Sequence, residues 1–83
     1  MRFMVPFHSI GTPEQLMPLV PAEMARVAEL RSEGIIESLE LASAGGRGWL
    51  LMAAPNEAGI RRALDSLPMA PLLQFEVVVL REM

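Results

Sequence analysis

Apolar and polar positions alternate from the first residues of the chain. Within residues 2–8 one set of alternate positions holds Phe3, Val5 and Phe7, and the other holds Met4, Pro6 and His8. This period of two residues predicts a β-strand whose two faces meet different surroundings. Pro6 has no backbone N–H group, so it favours an edge strand or the end of strand pairing.

A connector and an amphipathic helix follow. Residues 9–20 contain a glycine and two prolines, so we expect a connector with at most one loose turn. Pro21 suits the first position of a helix, and Gly34 suits the left-handed conformation that ends one. Between them the apolar positions follow the helical period along one side: Val20, Met24, Val27, Ala28 and Leu30.

The middle of the chain has the pattern of a β-hairpin. Residues 35–42 alternate, with Ile35, Leu39 and Leu41 on one face and Ile36, Ser38 and Glu40 on the other. The glycine-rich stretch 44–48 predicts the turn, and residues 49–54 predict the returning strand.

A second helix and a last strand complete the pattern. Asn56 suits the N-cap position, and the apolar residues that follow it continue a helix to Pro68. Residues 72–80 are apolar on both faces: Leu73, Phe75, Val77 and Val79 on one, and Leu72, Val78 and Leu80 on the other. Both faces of this strand must therefore be covered.

The order strand, helix, strand, strand, helix, strand is the split βαβ pattern of a ferredoxin-like α+β sandwich. In that fold two helices cover one face of a four-stranded antiparallel sheet, and we expect residues 1–83 to form one such domain. A second copy, packed sheet against sheet as in a dimeric α/β barrel, is the simplest cover for the other face. Composition agrees, because 52% hydrophobic residues in a chain of 83 exceed the needs of one small core.

Charge and the missing residue types limit the partners and the chemistry. A net charge of −3 argues against nucleic acid as a partner. No apolar run is long enough to cross a bilayer, and the start lacks a signal-peptide pattern, so we expect a cytoplasmic protein without a membrane partner. The chain has no lysine, tyrosine or cysteine and a single histidine, which excludes Schiff-base and thiolate chemistry and argues against a metal site. We expect a small-molecule ligand and no cofactor.

Several segments carry the pattern of a known family. The most specific are Asn56-Glu57, Leu64-Asp65-Ser66-Leu67-Pro68 with Pro71, and Phe75-Glu76-Val77 followed by Leu80; weaker matches are Phe3, Val5, Glu29-Leu30, Gly34 and Leu39. Together these residues resemble the muconolactone isomerase-like family of dimeric α/β-barrel proteins, although the hairpin departs from its pattern between Ala44 and Gly48. The resemblance implies a small cofactor-independent isomerase of aromatic catabolism that acts on a carboxylated lactone or a related enol-type metabolite.

Such an isomerase moves a proton between carbons, so it needs a base, an acid and a group that stabilises enolate-like charge. Glu76 is the first candidate, because it interrupts an apolar strand where burial would make it a stronger base. The alternative is an ion pair with an arginine at the sheet end or at a dimer contact. His8, at the end of the first strand, is the second candidate, with a structural or surface role as the alternative.

Four further residues are candidates for substrate binding. Arg31 is almost in line with the apolar stripe of the first helix and could clamp a carboxylate, unless its head only extends into solvent past the helix end. Glu23 borders the same stripe and would line the mouth of a pocket, unless it only complements the helix N-terminus. Met24 and Trp49 suit the apolar lining of a ligand pocket, and both suit an ordinary core equally well.

Three hypotheses for function remain open. The leading one is a proton-transferring isomerase in which Glu76 and His8 handle protons and Arg31 holds the anion. The second is a noncatalytic dimeric domain for small-molecule binding or oligomerisation, which the altered hairpin and the few polar groups favour. The third is a cofactor-free monooxygenase of aromatic polyketides on the same barrel.

Overall fold

The computed structural model describes residues 1–81, and its elements follow the predicted order. The strands are β1 (Arg2–Ser9), β2 (Ile36–Leu41), β3 (Arg47–Ala53), β4 (Leu73–Phe75) and β5 (Val78–Val79). The helices are α1 (Pro13–Leu16), α2 (Val20–Ser32) and α3 (Glu57–Asp65), with 3-10 turns at Met17–Leu19 and Ala70–Leu72. None of the helices in this part of the chain is long and apolar enough to cross a bilayer.

The strands form one antiparallel sheet in the order β2-β3-β1-β4. β5 pairs with the same edge of β1 as β4 does, so β4 and β5 are two parts of the single last strand that the sequence predicts. The two longer helices, α2 and α3, contribute to the same hydrophobic core as the sheet. The ferredoxin-like α+β fold is thereby confirmed.

The hydrophobic core lies between the helices and one face of the sheet. Phe3 and Val5 of β1 are both 0% exposed, and their cross-strand partners on β3, Met52 and Leu50, lie in the same layer. The helices contribute further buried side chains to this core: Val27 and Leu30 from α2, and Ile60, Ala63 and Leu64 from α3. The strict alternation along β1 therefore decides which face of the sheet receives the helices.

The opposite face of the sheet, which we call the open face, carries the alternate residues of the same strands. In the register of the sheet these residues are cross-strand neighbours: Met4 with Leu51 and Val78, Pro6 with Trp49, and His8 with Arg47 and Gln74. These side chains lie outside the hydrophobic core. The chain thus presents one side of its sheet to whatever surrounds it.

A β-bulge at the start of β2 corrects one predicted face. Ile36 pairs with Met52 and Ser38 pairs with the adjacent residue Leu51, so Glu37 is the extra residue. Ile36 is consequently 1% exposed on the helix side of the sheet, the same side as Leu39, whereas the alternation put it on the opposite face. Strict alternation was the wrong assumption here, because the bulge shifts every face assignment that precedes it.

Pro6 lies in a central strand, so of its two expected positions the edge strand is wrong, whereas the end of strand pairing fits on the side of the last strand. Its carbonyl accepts a hydrogen bond from the Glu76 N–H at 2.9 Å, but the proline has no N–H to donate in return. Pairing of β1 with the last strand is interrupted at this point and resumes only at β5. The missing donor thus breaks one ladder without moving the strand to the edge.

The ends of the helices follow the predicted capping residues. Gly34 has a φ angle of +78° just after α2, and the side chain of Asn56 accepts the N–H of Gly59 at the start of α3. The connector before α2 is more ordered than expected. Thr12 and Gln15 form a reciprocal capping box around α1, and α2 itself begins at Val20 directly after the 3-10 turn.

Gly48 provides a test of the packing between β1, β2 and β3. A Cβ atom at this buried position would lie 2.6 Å from the carbonyl oxygen of Glu40 and 2.6 Å from Cζ of Phe7. We expect Gly48→Ala to lower the free energy of unfolding by about 1–3 kcal/mol, the usual cost of overpacking. Chemical denaturation measures the difference.

Gly45 is the matched control for this substitution. A Cβ atom there meets nothing within 4 Å, and the residue does not have a positive φ angle. Gly45→Ala should change the free energy of unfolding by less than about 0.5 kcal/mol. Equal effects of the two substitutions would show that the close approach at Gly48 does not limit the packing.

Candidate functional site

An apolar cavity lies between α2 and the sheet, and we call it the helix-side cavity. Its volume is about 280 Å³, and its wall is built from α2, the sheet strands and the segment after α3. Val27, Leu50 and Leu67, all buried core residues, form part of this wall. The cavity is therefore a continuation of the hydrophobic core toward one end of the sandwich.

Among residues 1–81, Glu23 is the one ionisable residue that lines the helix-side cavity. It lies in the first turn of α2 and is half-buried, and its Oε1 accepts a hydrogen bond from the backbone N–H of Met69 at 2.9 Å. Burial raises the pKa of Glu23 above the usual value for glutamate, and the hydrogen bond from Met69 only partly offsets this rise. The carboxyl group is thus a stronger base than a solvated glutamate.

The cavity combines a proton acceptor with hydrocarbon walls. Met24, which is 57% exposed, lies at its rim, while Phe7 and Phe75 close it on the side of the sheet. The described part of the chain contributes no cationic side chain to the lining. Such a site suits the uncharged ring of a small molecule that presents an acidic C–H or O–H bond to Glu23.

A second cavity lies on the open face of the sheet, at the end of β1. This open-face cavity is wider, about 560 Å³, and its polar lining residues are His8, Arg47, Gln74 and Glu76. Its charged groups are exposed, in contrast to the half-buried Glu23. Phe7 and Phe75 line both cavities, because their strands separate the two.

The predicted site residues divide between these two places. His8 and Glu76 line the open-face cavity together, whereas Glu23 and Met24 line the helix-side cavity on the other side of the sheet. Trp49 lies on the open face, where the guanidinium carbon of Arg47 is 5.5 Å from the centroid of its ring. The sheet keeps the two predicted catalytic residues out of the cavity that holds Glu23.

Arg31 lines neither cavity. It is exposed in the last turn of α2, whereas the buried residues of this helix are Val27 and Leu30. At about 100° per residue, Glu23 falls close to the line of these two residues, and Arg31 falls at the border with Met24. The predicted apolar stripe of α2 was therefore centred too near Met24. Glu23, and not Met24, lies on the side of the helix that faces the core.

Three chemical groups at these two cavities were not predicted from the sequence. Arg47 and Gln74 flank His8 across the sheet, and the backbone N–H of Met69 holds the Glu23 carboxylate. Alternation along β3 was a usable signal for Arg47, because it puts this residue on the same face as Trp49. The hydrogen bond from Met69 depends on how the segment after α3 packs on α2, for which the sequence offers no pattern.

Comparison with known proteins gives a family and a fold. The family model for muconolactone delta-isomerase matches residues 1–83. No curated protein sequence matches the chain significantly.

One similar solved structure is 5-chloro-2-hydroxyhydroquinone dehydrochlorinase (TftG) from Burkholderia phenoliruptrix AC1100 in complex with 2,5-dihydroxybenzoquinone. The two chains superpose with a TM-score of 0.77 at 15% identity, over 100% of this chain and 96% of the other. At this identity the likeness supports the fold alone. The family match spans every residue of the sequence, and the chain therefore belongs to the muconolactone delta-isomerase family.

Proposed function

We propose that the protein is a small cofactor-independent isomerase that moves a proton on a one-ring lactone or enol-type substrate bound in the helix-side cavity. The observation that carries this proposal is the half-buried carboxyl group of Glu23 in an otherwise apolar cavity. Membership of the muconolactone delta-isomerase family supports the reaction type. Substrates from the breakdown of aromatic compounds are the class that we propose for this cavity, whose volume of about 280 Å³ suits a single ring.

Glu23 would act alone in the proton transfer. Its carboxylate takes a proton from the ring carbon that is conjugated with the lactone carbonyl through the C=C bond, and the electrons of that C–H bond move into the conjugated system to form an extended enolate. The protonated carboxyl then returns the proton to another carbon of the system, which shifts the double bond and restores the carboxylate. A single group suffices, because taking and returning the proton occur on one face of the ring.

The Met69 N–H and the apolar wall would assist this transfer. The N–H holds one carboxylate oxygen, Oε1, and leaves Oε2 available to the substrate. Exclusion of water by the surrounding side chains strengthens the hydrogen bond between protonated Glu23 and the enolate. Because the lining that the structure describes has no cation, the carboxylate of a carboxylated lactone would point out of the cavity into solvent.

A noncatalytic binding domain is the second candidate. The observation that favours it is the same scarcity of polar groups, since no other ionisable residue within positions 1–81 lines the helix-side cavity. In that case Glu23 would only accept a hydrogen bond from a ligand hydroxyl. Exchange of a carbon-bound proton separates the two candidates, because a binding domain does not break a C–H bond.

The isomerase proposal predicts loss of proton transfer in Glu23→Gln. Muconolactone incubated with the wild-type protein in D₂O should exchange or relocate a carbon-bound proton, as followed by NMR. The glutamine variant keeps an acceptor for the Met69 N–H but is not a base. We expect its rate to fall by at least about 100-fold, the usual contribution of general base catalysis.

Glu33→Gln is the matched control, because it removes one exposed carboxylate just after the same helix. It should leave the rate within about twofold of wild type, since surface substitutions have small effects. Proton exchange that persists in Glu23→Gln would refute the assigned base. Tight retention of the lactone without exchange in the wild type would favour the binding domain.

The raised pKa of Glu23 also predicts a pH dependence of stability. The folded chain binds this proton more tightly than the unfolded chain, because burial penalises the charged carboxylate. The corresponding stability is fully present below the ordinary pKa of glutamate and is lost as pH rises through the raised value. Wild type should therefore lose stability relative to Glu23→Gln as pH rises above the ordinary pKa of glutamate, about 4.3.

Urea denaturation of both proteins across this pH range measures the difference in free energy of unfolding. Glu33→Gln shows how much of the pH trend follows from removing any carboxylate near this helix. A wild type that keeps or gains stability relative to Glu23→Gln as pH rises would contradict a carboxyl group destabilised by burial.

We further propose that a second copy covers the open face to form a homodimer. Met4, Leu51 and Val78 form an apolar row across three strands of this face, and Val78 is 38% exposed in the single chain. Leaving such a row in water is unfavourable, and a symmetric sheet-to-sheet contact buries it in both copies.

Leu51→Asp should convert this dimer to monomers, because it places a charge in the middle of the apolar row. Light scattering at micromolar concentration should give twice the chain mass for wild type and the single-chain mass for the variant. Ala58→Asp, at an exposed position of α3, is the control and should remain dimeric. A monomeric wild type would overturn the proposed contact.

A further inference from the structure

The entrance of the helix-side cavity is lined by exposed apolar side chains, and we call it the mouth. Val20 and Met24 of α2 are 43% and 57% exposed, and Leu41 at the end of β2 is 70% exposed. All three also line the cavity, so they lie where it meets solvent. The mouth is on the helix side of the sheet, and the proposed sheet-to-sheet contact therefore does not cover it.

The opposite wall of the cavity is closed. Val27, Leu50 and Leu67 line it and are buried in the hydrophobic core. A ring that presents a C–H bond to Glu23 consequently has room for a substituent only in the direction of the mouth. There the substituent removes apolar surface of the protein from water, which favours binding when the substituent is itself apolar.

The arginines of the described chain lie elsewhere. Arg26 and Arg62 line a separate cleft beside the segment between β3 and α3, and Arg47 lines the cavity on the open face. The other arginines of residues 1–81 do not line the helix-side cavity either. Within this part of the chain, nothing at the cavity wall offsets the charge of an anionic substituent.

A carboxylate on the substrate would also act against the base. Glu23 must be deprotonated to take a proton, and burial already raises its pKa. A second negative charge nearby favours the protonated form further, and walls of low polarity screen this repulsion less than water does. A neutral substituent avoids the repulsion and gains contacts with the mouth.

We propose that the substrate of the helix-side cavity is a neutral unsaturated lactone with an alkyl substituent, rather than a carboxylated one. The ring contacts Glu23, and the alkyl group packs against Met24 and Leu41 at the mouth. This assignment rests on the proton transfer proposed above and specifies the class of substrate for the same site. A carboxylated lactone such as muconolactone still reacts, but it binds more weakly.

The reaction of a neutral lactone needs no further reactant. The C–H bond at the substituted ring carbon breaks, and its electrons enter the conjugated system. A new C–H bond then forms at the carbon next to the carbonyl, and the C=C bond moves by one position. The proton that Glu23 takes is the proton that it returns, so atoms and charge balance.

Three lactones that differ in one substituent test the effect of charge: 5-methylfuran-2(5H)-one, muconolactone and the methyl ester of muconolactone. The ester is a little larger than muconolactone and lacks its charge. Titrations followed by ¹⁵N–¹H correlation spectra give the affinities, and shifts at Val20, Leu67 and Met69 locate the ligand in the cavity. We expect the ester to bind at least about tenfold more tightly than muconolactone, because it avoids a close like charge.

A longer alkyl group tests the apolar mouth. Each buried methylene group improves affinity roughly fourfold, so 5-pentylfuran-2(5H)-one should bind at least about tenfold more tightly than the methyl compound. Leu41→Gln should cancel most of this gain, because it makes one side of the mouth polar. Ile10→Gln is the matched control, since Ile10 is 56% exposed but does not line the cavity, and it should keep the gain.

Leu41→Arg supplies the cation that the cavity wall lacks. Its guanidinium group should raise the affinity for muconolactone at least about tenfold relative to Leu41→Gln, because it can bind the carboxylate through charge-assisted hydrogen bonds. The affinity for the methyl ester should not rise. The spectra of each variant report at the same time whether it is folded.

Three binding results would overturn the proposal. These are equal affinities for muconolactone and its ester, no gain from the pentyl group over the methyl group, and the absence of saturable shifts with every lactone. Proton exchange of the same ligands in D₂O tests the reaction separately. Preferential binding of the neutral lactones without any exchange would refute the proposed proton transfer and support the selectivity. Faster exchange with saturating muconolactone than with its saturating ester would refute the neutral substrate and leave the proton transfer in place.

Discussion

The structure depends on the position of β1 as a central strand with a strict alternation of side chains. Phe3 and Val5 must face the helices because the core needs them, and this leaves Met4, Pro6 and His8 on the open face. Pairing on both sides then transfers the same division to β3 and β4. One strand thus decides which polar residues can meet, and it separates Glu23 from His8 and Glu76.

This separation gives the two faces different chemistry. On the helix side, hydrocarbon surrounds a single carboxyl group, and burial raises its pKa. On the open face, an arginine, a histidine and a glutamate lie together where solvent or a second copy can reach them. Low polarity strengthens a base, while an exposed guanidinium group recognises an anion, so each face suits a task that the other performs poorly.

The sequence predicts the elements well, because each depends on local patterns. The Gly34 and Asn56 caps and the ferredoxin-like order are examples. The sequence predicts less well which face of the sheet each side chain occupies, since a single bulge at Glu37 reverses the alternation of side chains at the start of β2. The candidate site was predicted only in part. Glu23 was predicted to border a pocket, but its position facing the core depends on which side of α2 packs on the sheet. Side chains at the border of the apolar stripe of α2 led to a predicted centre of that stripe too near Met24.

The nature of the residue at position 23 bears on function independently of any substrate. A glutamine there could accept the Met69 N–H through its amide oxygen and would avoid the cost of burying a charge. A carboxyl group makes the same contact but destabilises the fold once it ionises, because burial raises its pKa. What glutamate adds over glutamine is the ability to bind and release a proton. An apolar cavity with this one group is therefore better explained by proton transfer than by packing alone.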